Sequence, residues 1–157
     1  MNGADVVDLL DLRLRVERAR QLRHRIVERE FALCYPSRHE WRRIVGLARD
    51  AQGRLDEVAA GRALVLASLT GWSSVTVADA YPESKVGTEP LAFTPMAVDL
   101  VLDEQPAWAD ELLAVIFAAK TAREDAIEAT RKNSGAASSG SKAAPSAAPL
   151  MPSASAH

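Results

Sequence analysis

Residues Leu10 to Tyr35, LDLRLRVERARQLRHRIVEREFALCY, carry two periodicities at once, and the architecture of the chain turns on which of them is obeyed. Leu12, Val16, Ala19, Leu22 and Ile26 recur three or four apart, which places them on one helical face, and neither glycine nor proline occurs from Ala4 to Glu30. Leu10, Leu12, Leu14 and Val16 also alternate with Asp11, Arg13, Arg15 and Glu17, while Val27, Phe31, Leu33 and Tyr35 fall two or four apart, as in strands. A helix and a hairpin therefore compete. The link Arg18 to His24 holds none of the Gly, Asn or Asp that tight hairpin turns use for positive φ. The helix is preferred on that ground, with Phe31 to Tyr35 open to an extended conformation.

Downstream the pattern is helical. Pro36 stops the first segment, and Ser37 with Glu40 three residues later has the form of a capping box opening a helix from Arg38 to Asp50. After Gly53, Leu55, Val58, Arg62, Val65 and Leu69 repeat at helical spacing, with Gly71 as a left-handed terminator. Gly71 to Pro90 is rich in Gly, Ser, Pro, Asp and Thr and reads as a long loop with at most a short turn at Val77 to Tyr81. Thr94-Pro95 is an N-cap followed by a first-turn proline, opening a helix to Asp103. Pro106 opens the last helix, with Trp108, Leu112, Val115, Ala119, Ala122 and Ala126 as its apolar stripe, ending at Asn133 to Gly135. The expected fold is all-α: a small helical domain with a long loop and a disordered C-terminal tail. The expected organisation is an arginine-rich element over 1–30, a helical core over 31–133 and an Ala/Ser/Pro tail over 134–157, too poor in bulky apolar groups to offset ordering entropy.

Composition narrows the function classes. The 157 residues are 48% hydrophobic and 25% charged, ordinary for one globular domain, with a formal net charge of -2. That balance lacks the broad positive field of nucleic-acid binders, so no nucleic-acid partner is expected. The longest mainly apolar run, Ala63 to Leu69, falls short of the roughly 20 residues of a membrane span. The single Cys34 and the lack of a leader pattern after Met1 fit a reducing cytoplasm.

No chemistry-bearing motif stands out. His24, His39 and His157 are not spaced as metal ligands, and His39 and its neighbour Glu40 would point about 100 degrees apart on a helix. Cys34 sits in an apolar run where a thiol packs rather than reacts. Phosphate-cradling glycine loops and nucleophile elbows are missing. The arginines from Arg13 to Arg29 are interrupted by Glu17 and Glu28 and read as a solvated helix face with local ion pairs. No catalytic residue, cofactor or metal ligand is assigned, and the protein is expected not to be an enzyme. Trp41 and Trp108 read as core, whereas Trp72, beside Gly71, is balanced between core and binding surface.

The order of motifs resembles the tail assembly chaperones of long-tailed bacteriophages. The likeness comprises Tyr35-Pro36-Ser37 leading through Glu40-Trp41 into a helix, then Gly71-Trp72-Ser73 with Val75, and then Pro90-Leu91-Ala92-Phe93-Thr94-Pro95. Asp103, Pro106, Trp108 and the close on Arg131-Lys132-Asn133-Ser134 extend it over Phe31 to Ser134. The family pattern would place extended segments at the N-terminus, where this chain has the arginine-rich Asp11 to Arg29. The resemblance implies a non-catalytic protein of the host cytoplasm, absent from the mature virion. Its partners would be the tape-measure protein, which it keeps in solution, and the tail tube protein. Leu55, Val58, Val65, Trp72, Phe93 and Met96 are the candidate groove for an amphipathic client helix. The competing reading is a structural tail completion or connector protein that stays in the virion.

Overall fold

The computed structural model describes residues 8–136; the expected disordered tail lies outside them from residue 137 onward, as do residues 1–7. The elements are α1 (Leu9–Arg18), β1 (Gln21–Ile26), β2 (Arg29–Cys34), α2 (Arg38–Leu47) and α3 (Glu57–Ser68), then β3 (Leu69–Ser73), α4 (Val77–Ala80), α5 (Pro95–Glu104) and α6 (Pro106–Ala136). Strands β1, β2 and β3 form one antiparallel sheet in that order, so the chain is mixed α/β and the all-α expectation is overturned.

Both periodicities are present, and neither marks its own element throughout. The alternating stretch Leu10 to Val16 is the helix α1, started by Asp8, whose side chain accepts from the Leu10 amide. The stretch whose apolar residues have helical spacing, Leu22 to Ile26, is the strand β1. A spacing of four places two residues on one face in either conformation, so Leu22 and Ile26 do not discriminate. The turn is not between Arg18 and His24. Ile26 pairs with Arg29 across the two residues Val27 and Glu28, and Val27 carries the positive φ, 56°. A β-branched residue is the least expected type there.

Phe31 and Leu33 of β2, and Tyr35 just after it, alternate inward and are buried; Phe31 lies opposite His24 and Trp72 on its two neighbours, and Leu33 opposite Leu22 and Leu69. Arg23, Arg25 and Glu30 take the other face, and Arg23 bridges Glu30. The inner face packs on Val65, Val98, Val101, Leu112 and Ile116 from α3, α5 and α6. Full burial of Phe31 and of Leu33 is worth about 1.5–3 kcal/mol each.

Two further expectations need correction. Helix α3 ends at Ser68, and Gly71 is not its left-handed terminator but a residue of β3 facing Ala32. A Cβ at Gly71 would stand 4.0 Å from that of Ala32, an ordinary contact distance, so the strand has room for a side chain there. The expected loop Gly71 to Pro90 is shorter, because Leu69–Ser73 is a strand; the short turn expected within it at Val77 to Tyr81 is present as α4, Val77–Ala80. Other expectations hold. The Ser37–Glu40 capping box starts α2, Thr94 and Pro95 start α5, and Pro106 opens α6.

At the turn end of the hairpin, Arg29 makes a two-pronged ion pair with the buried Asp79 of α4, at 2.9 and 3.1 Å, and its guanidinium lies 6.0 Å from the Trp108 ring centre. Asp79 also accepts from the Thr76 amide and hydroxyl. Four donors thus satisfy a carboxylate that is nearly out of solvent.

By contacts the chain divides into Met1–Ala122 and Arg123–His157. In the second unit the described residues are the end of α6. There Lys132 pairs with Glu128 at 2.8 Å, and the Thr130 and Ser134 hydroxyls donate to carbonyls one turn back.

Two substitutions test this account. Val27→Gly relieves the positive φ and is expected to raise unfolding free energy in urea by about 1 kcal/mol. Arg29→Met strands the Asp79 carboxylate, and the same titration should show a loss of about 3 kcal/mol.

Candidate interaction surface

The cap at Thr94, whose hydroxyl accepts from the Ala97 amide at 3.1 Å, sets the rotation of α5. Ala97, Val98, Val101 and Leu102 then face the core, and Met96 and Leu100, one turn apart, face solvent. Phe93 precedes the extended N-cap Thr94 and so lies outside the helix. Met96 is 75% exposed and Phe93 39%.

Trp72 of β3 anchors the base of this stripe. Its ring meets Phe93 edge to face with centres 5.0 Å apart, and its indole N–H donates to the Leu91 carbonyl at 2.8 Å. That geometry settles the balance left by the sequence: Trp72 is half-buried and packed against the core. Beside the stripe, Arg62 of α3 reaches Asp99 at 3.0 Å and Asp103 at 2.7 Å on α5. The Asp99 hydrogen bond foremost, with Asp103 adding to it, raises the Arg62 pKa above its ordinary value, against a smaller opposing effect of burial. Val58, 84% exposed, lies one turn before Arg62 on α3, and Leu66 one turn after.

Of the groove residues named from sequence, the structure joins Trp72 and Phe93 directly, and Met96 is exposed on the first turn of α5. Val58 stands on the outer side of α3. Leu55 precedes α3, in an isolated bridge to Arg49. Val65 is 1% exposed and belongs to the core, so it cannot line a groove. Leu100 and Arg62 were missed as surface residues. Leu100 is four residues from Met96, so helical spacing puts the two on one face.

A second surface was not anticipated. Leu9, Leu12 and Val16 of α1 line a groove of about 550 Å³ whose far wall is the start of α2, with Ser37, His39 and Glu40. Glu40 is held at about 2 against its ordinary 4.5, first by the Ser37 hydroxyl, then by the Ser37 amide, with Arg20 at 3.1 Å assisting and burial opposing. Its hydrogen bonds go to the cap and to Arg20, leaving His39 exposed beside a carboxylate already engaged.

The chemistry-bearing residues stay scattered. His24 meets Glu111 at 2.6 Å, and no hydroxyl or thiol joins that pair among the described residues. Cys34 is half-buried on β2 rather than a core thiol. No group of three or more His, Cys, Asp or Glu able to hold a metal occurs among the described residues, and no described helix is long and apolar enough to cross a membrane. Compared with known protein families, curated proteins and solved structures, the chain matches none.

The depressed pKa of Glu40 gives a pH signature. Its contribution to stability is complete above pH 4.5 and is lost as pH falls through about 2. Glu40→Gln should therefore lower the urea midpoint at neutral pH, and the gap from the unsubstituted protein should close between pH 4.5 and 2.

Proposed function

We propose that the protein is a non-catalytic tail assembly chaperone of the kind its sequence resembles, acting in the host cytoplasm. On this reading it holds an amphipathic helix of a tape-measure protein against the stripe Phe93, Met96 and Leu100. One observation carries the reading: large apolar side chains stand in solvent on a scaffold braced by Trp72 from behind and by Arg62 from the side. Met96 and Leu100, one helical turn apart with Phe93 just before the helix, suit the helix-in-groove mode, in which client residues at helical spacing interleave with them. Met96 adds a flexible, polarizable side chain that adapts to varied client surfaces.

The hairpin lends further support, since β1 and β2 lie in the N-terminal region where the resemblance calls for extended segments. The client would leave with the assembled tail, so the chaperone would be missing from finished particles. The tail tube protein is a second proposed partner.

The test is co-expression with the long helical protein encoded beside it, scoring how much of that protein stays in solution and co-purifies. Met96→Asp combined with Leu100→Asp is expected to reduce recovery at least tenfold, about 1.4 kcal/mol of binding. Leu47→Asp, at an exposed site on α2, should leave recovery unchanged. Recovery indifferent to the α5 substitutions would remove the stripe from consideration. Finding the chain in purified particles would replace the chaperone with a structural tail completion or connector protein.

A further inference from the structure

The exposed face of α5 is apolar where the helix begins and acidic where it ends. Met96, Leu100 and Glu104 follow one another at intervals of one turn, and all three are exposed. Beside them run Asp99 and Asp103, whose two carboxylates share the single guanidinium of Arg62 and so keep a net negative charge. Glu104 makes no side-chain hydrogen bond or ion pair among the described residues.

Nothing nearby in the chain offsets that charge. The last turn of α5 holds Asp103 and Glu104 and no basic residue, although the C-terminal end of a helix is itself the negative end of the backbone dipole and is steadied by cations. Between Arg62 and Lys120 the only cationic residue is Lys85, in the loop between α4 and α5, and it forms no ion pair among the described residues. The occupant that answers both features carries apolar side chains at helical spacing to cover Met96 and Leu100, and cations on the turn that follows. An anionic lipid surface would be repelled by the same carboxylates. A second copy of α5 would set acid on acid in a parallel pair. In an antiparallel pair the acidic last turn would meet a first turn without charge, which leaves the carboxylates unanswered.

We propose that α5 selects a basic amphipathic helix, one that lays its apolar residues on Met96 and Leu100 and brings Lys or Arg to Asp103 and Glu104. The proposal rests on the docking of a client helix at α5 and adds the chemistry of that client. The apolar contacts supply most of the affinity. The carboxylates choose among clients and fix which way the helix lies, because only one end of α5 is charged. Ion pairs at so exposed a rim are individually weak and fade with added salt.

Fluorescence anisotropy of labelled peptides with the full chain tests it. Three peptides of about 18 residues, or about five helical turns, share one leucine stripe and carry Lys, Gln or Glu at the flanking positions. At low salt the Lys peptide is expected to bind about tenfold more tightly than the Glu peptide, with the Gln peptide between them, and the gap should narrow as salt is raised. Glu104→Lys is an exposed change that suits the negative end of the helix. It should narrow the gap by about threefold and leave the Gln peptide unchanged. Met96→Asp with Leu100→Asp should abolish binding of all three. Equal binding of the three peptides, lost in the Met96→Asp, Leu100→Asp variant, would overturn the charge preference and leave the client site standing; no binding by any of them would overturn both. A Lys preference untouched by Glu104→Lys would overturn the assignment to this rim. So would docking of anionic vesicles, or self-association, through Met96 and Leu100, since a membrane or a second copy would then be the occupant.

Discussion

Strand β2 is hydrogen-bonded along both edges, and the remainder of the fold is arranged around that fact. Because it is central, Phe31 and Leu33 are covered on every side: by cross-strand neighbours from β1 and β3 and by α3, α5 and α6 on the inner face. The polar outer face, with Arg23, Arg25 and Glu30, needs no such cover. One sheet face is therefore core and the other solvent, the usual condition of an antiparallel sheet. At the turn end, the Arg29–Asp79 pair ties the hairpin to α4 with charge-assisted bonds and leaves neither group unpaired.

The arginine-rich segment is consumed largely by internal pairing. Arg13 and Arg15 bond one turn along α1, Arg23 bonds across the hairpin, and Arg20 and Arg29 reach Glu40 and Asp79 on later elements. A stripe of cations organised for phosphate would leave those guanidinium groups outward and unengaged. What projects from the molecule instead is aliphatic: the side chains of α1, and the Phe93, Met96 and Leu100 stripe beside the Arg62 bridge. Apolar groups held outward on short, well-capped helices fit a protein whose work is to pack against other helices.

The two surfaces differ in their support. Phe93 is held by Trp72, itself fixed by that ring contact and by a hydrogen bond to the Leu91 carbonyl, so the approach to α5 has a defined shape before anything binds. Helix α1 has only its N-cap, its own ion pairs and the Arg20–Glu40 contact just past its end, and it gains most from being covered.

Local chemistry was legible in the amino-acid order. The capping box Ser37–Glu40, the Thr94-Pro95 and Pro106 starts, the helical stripes of α3 and α6 and the extended tendency of Phe31 to Tyr35 each depend on residues a few positions apart, which interact through the backbone that joins them. The identity of the elements before Phe31 and the exposure of particular side chains did not follow from such rules. Leu22 and Ile26 satisfy a strand and a helix equally, and only pairing with Leu33 and Arg29 makes them a strand. Val27 has no preference for positive φ; the turn forms there because the ladder on either side demands it. Val65 and Met96 are both apolar residues at helical spacing, yet one is sealed in the core and the other stands in water. That difference arises from which way each helix is rotated against its neighbours, a property of the packed chain that no local run of residues contains.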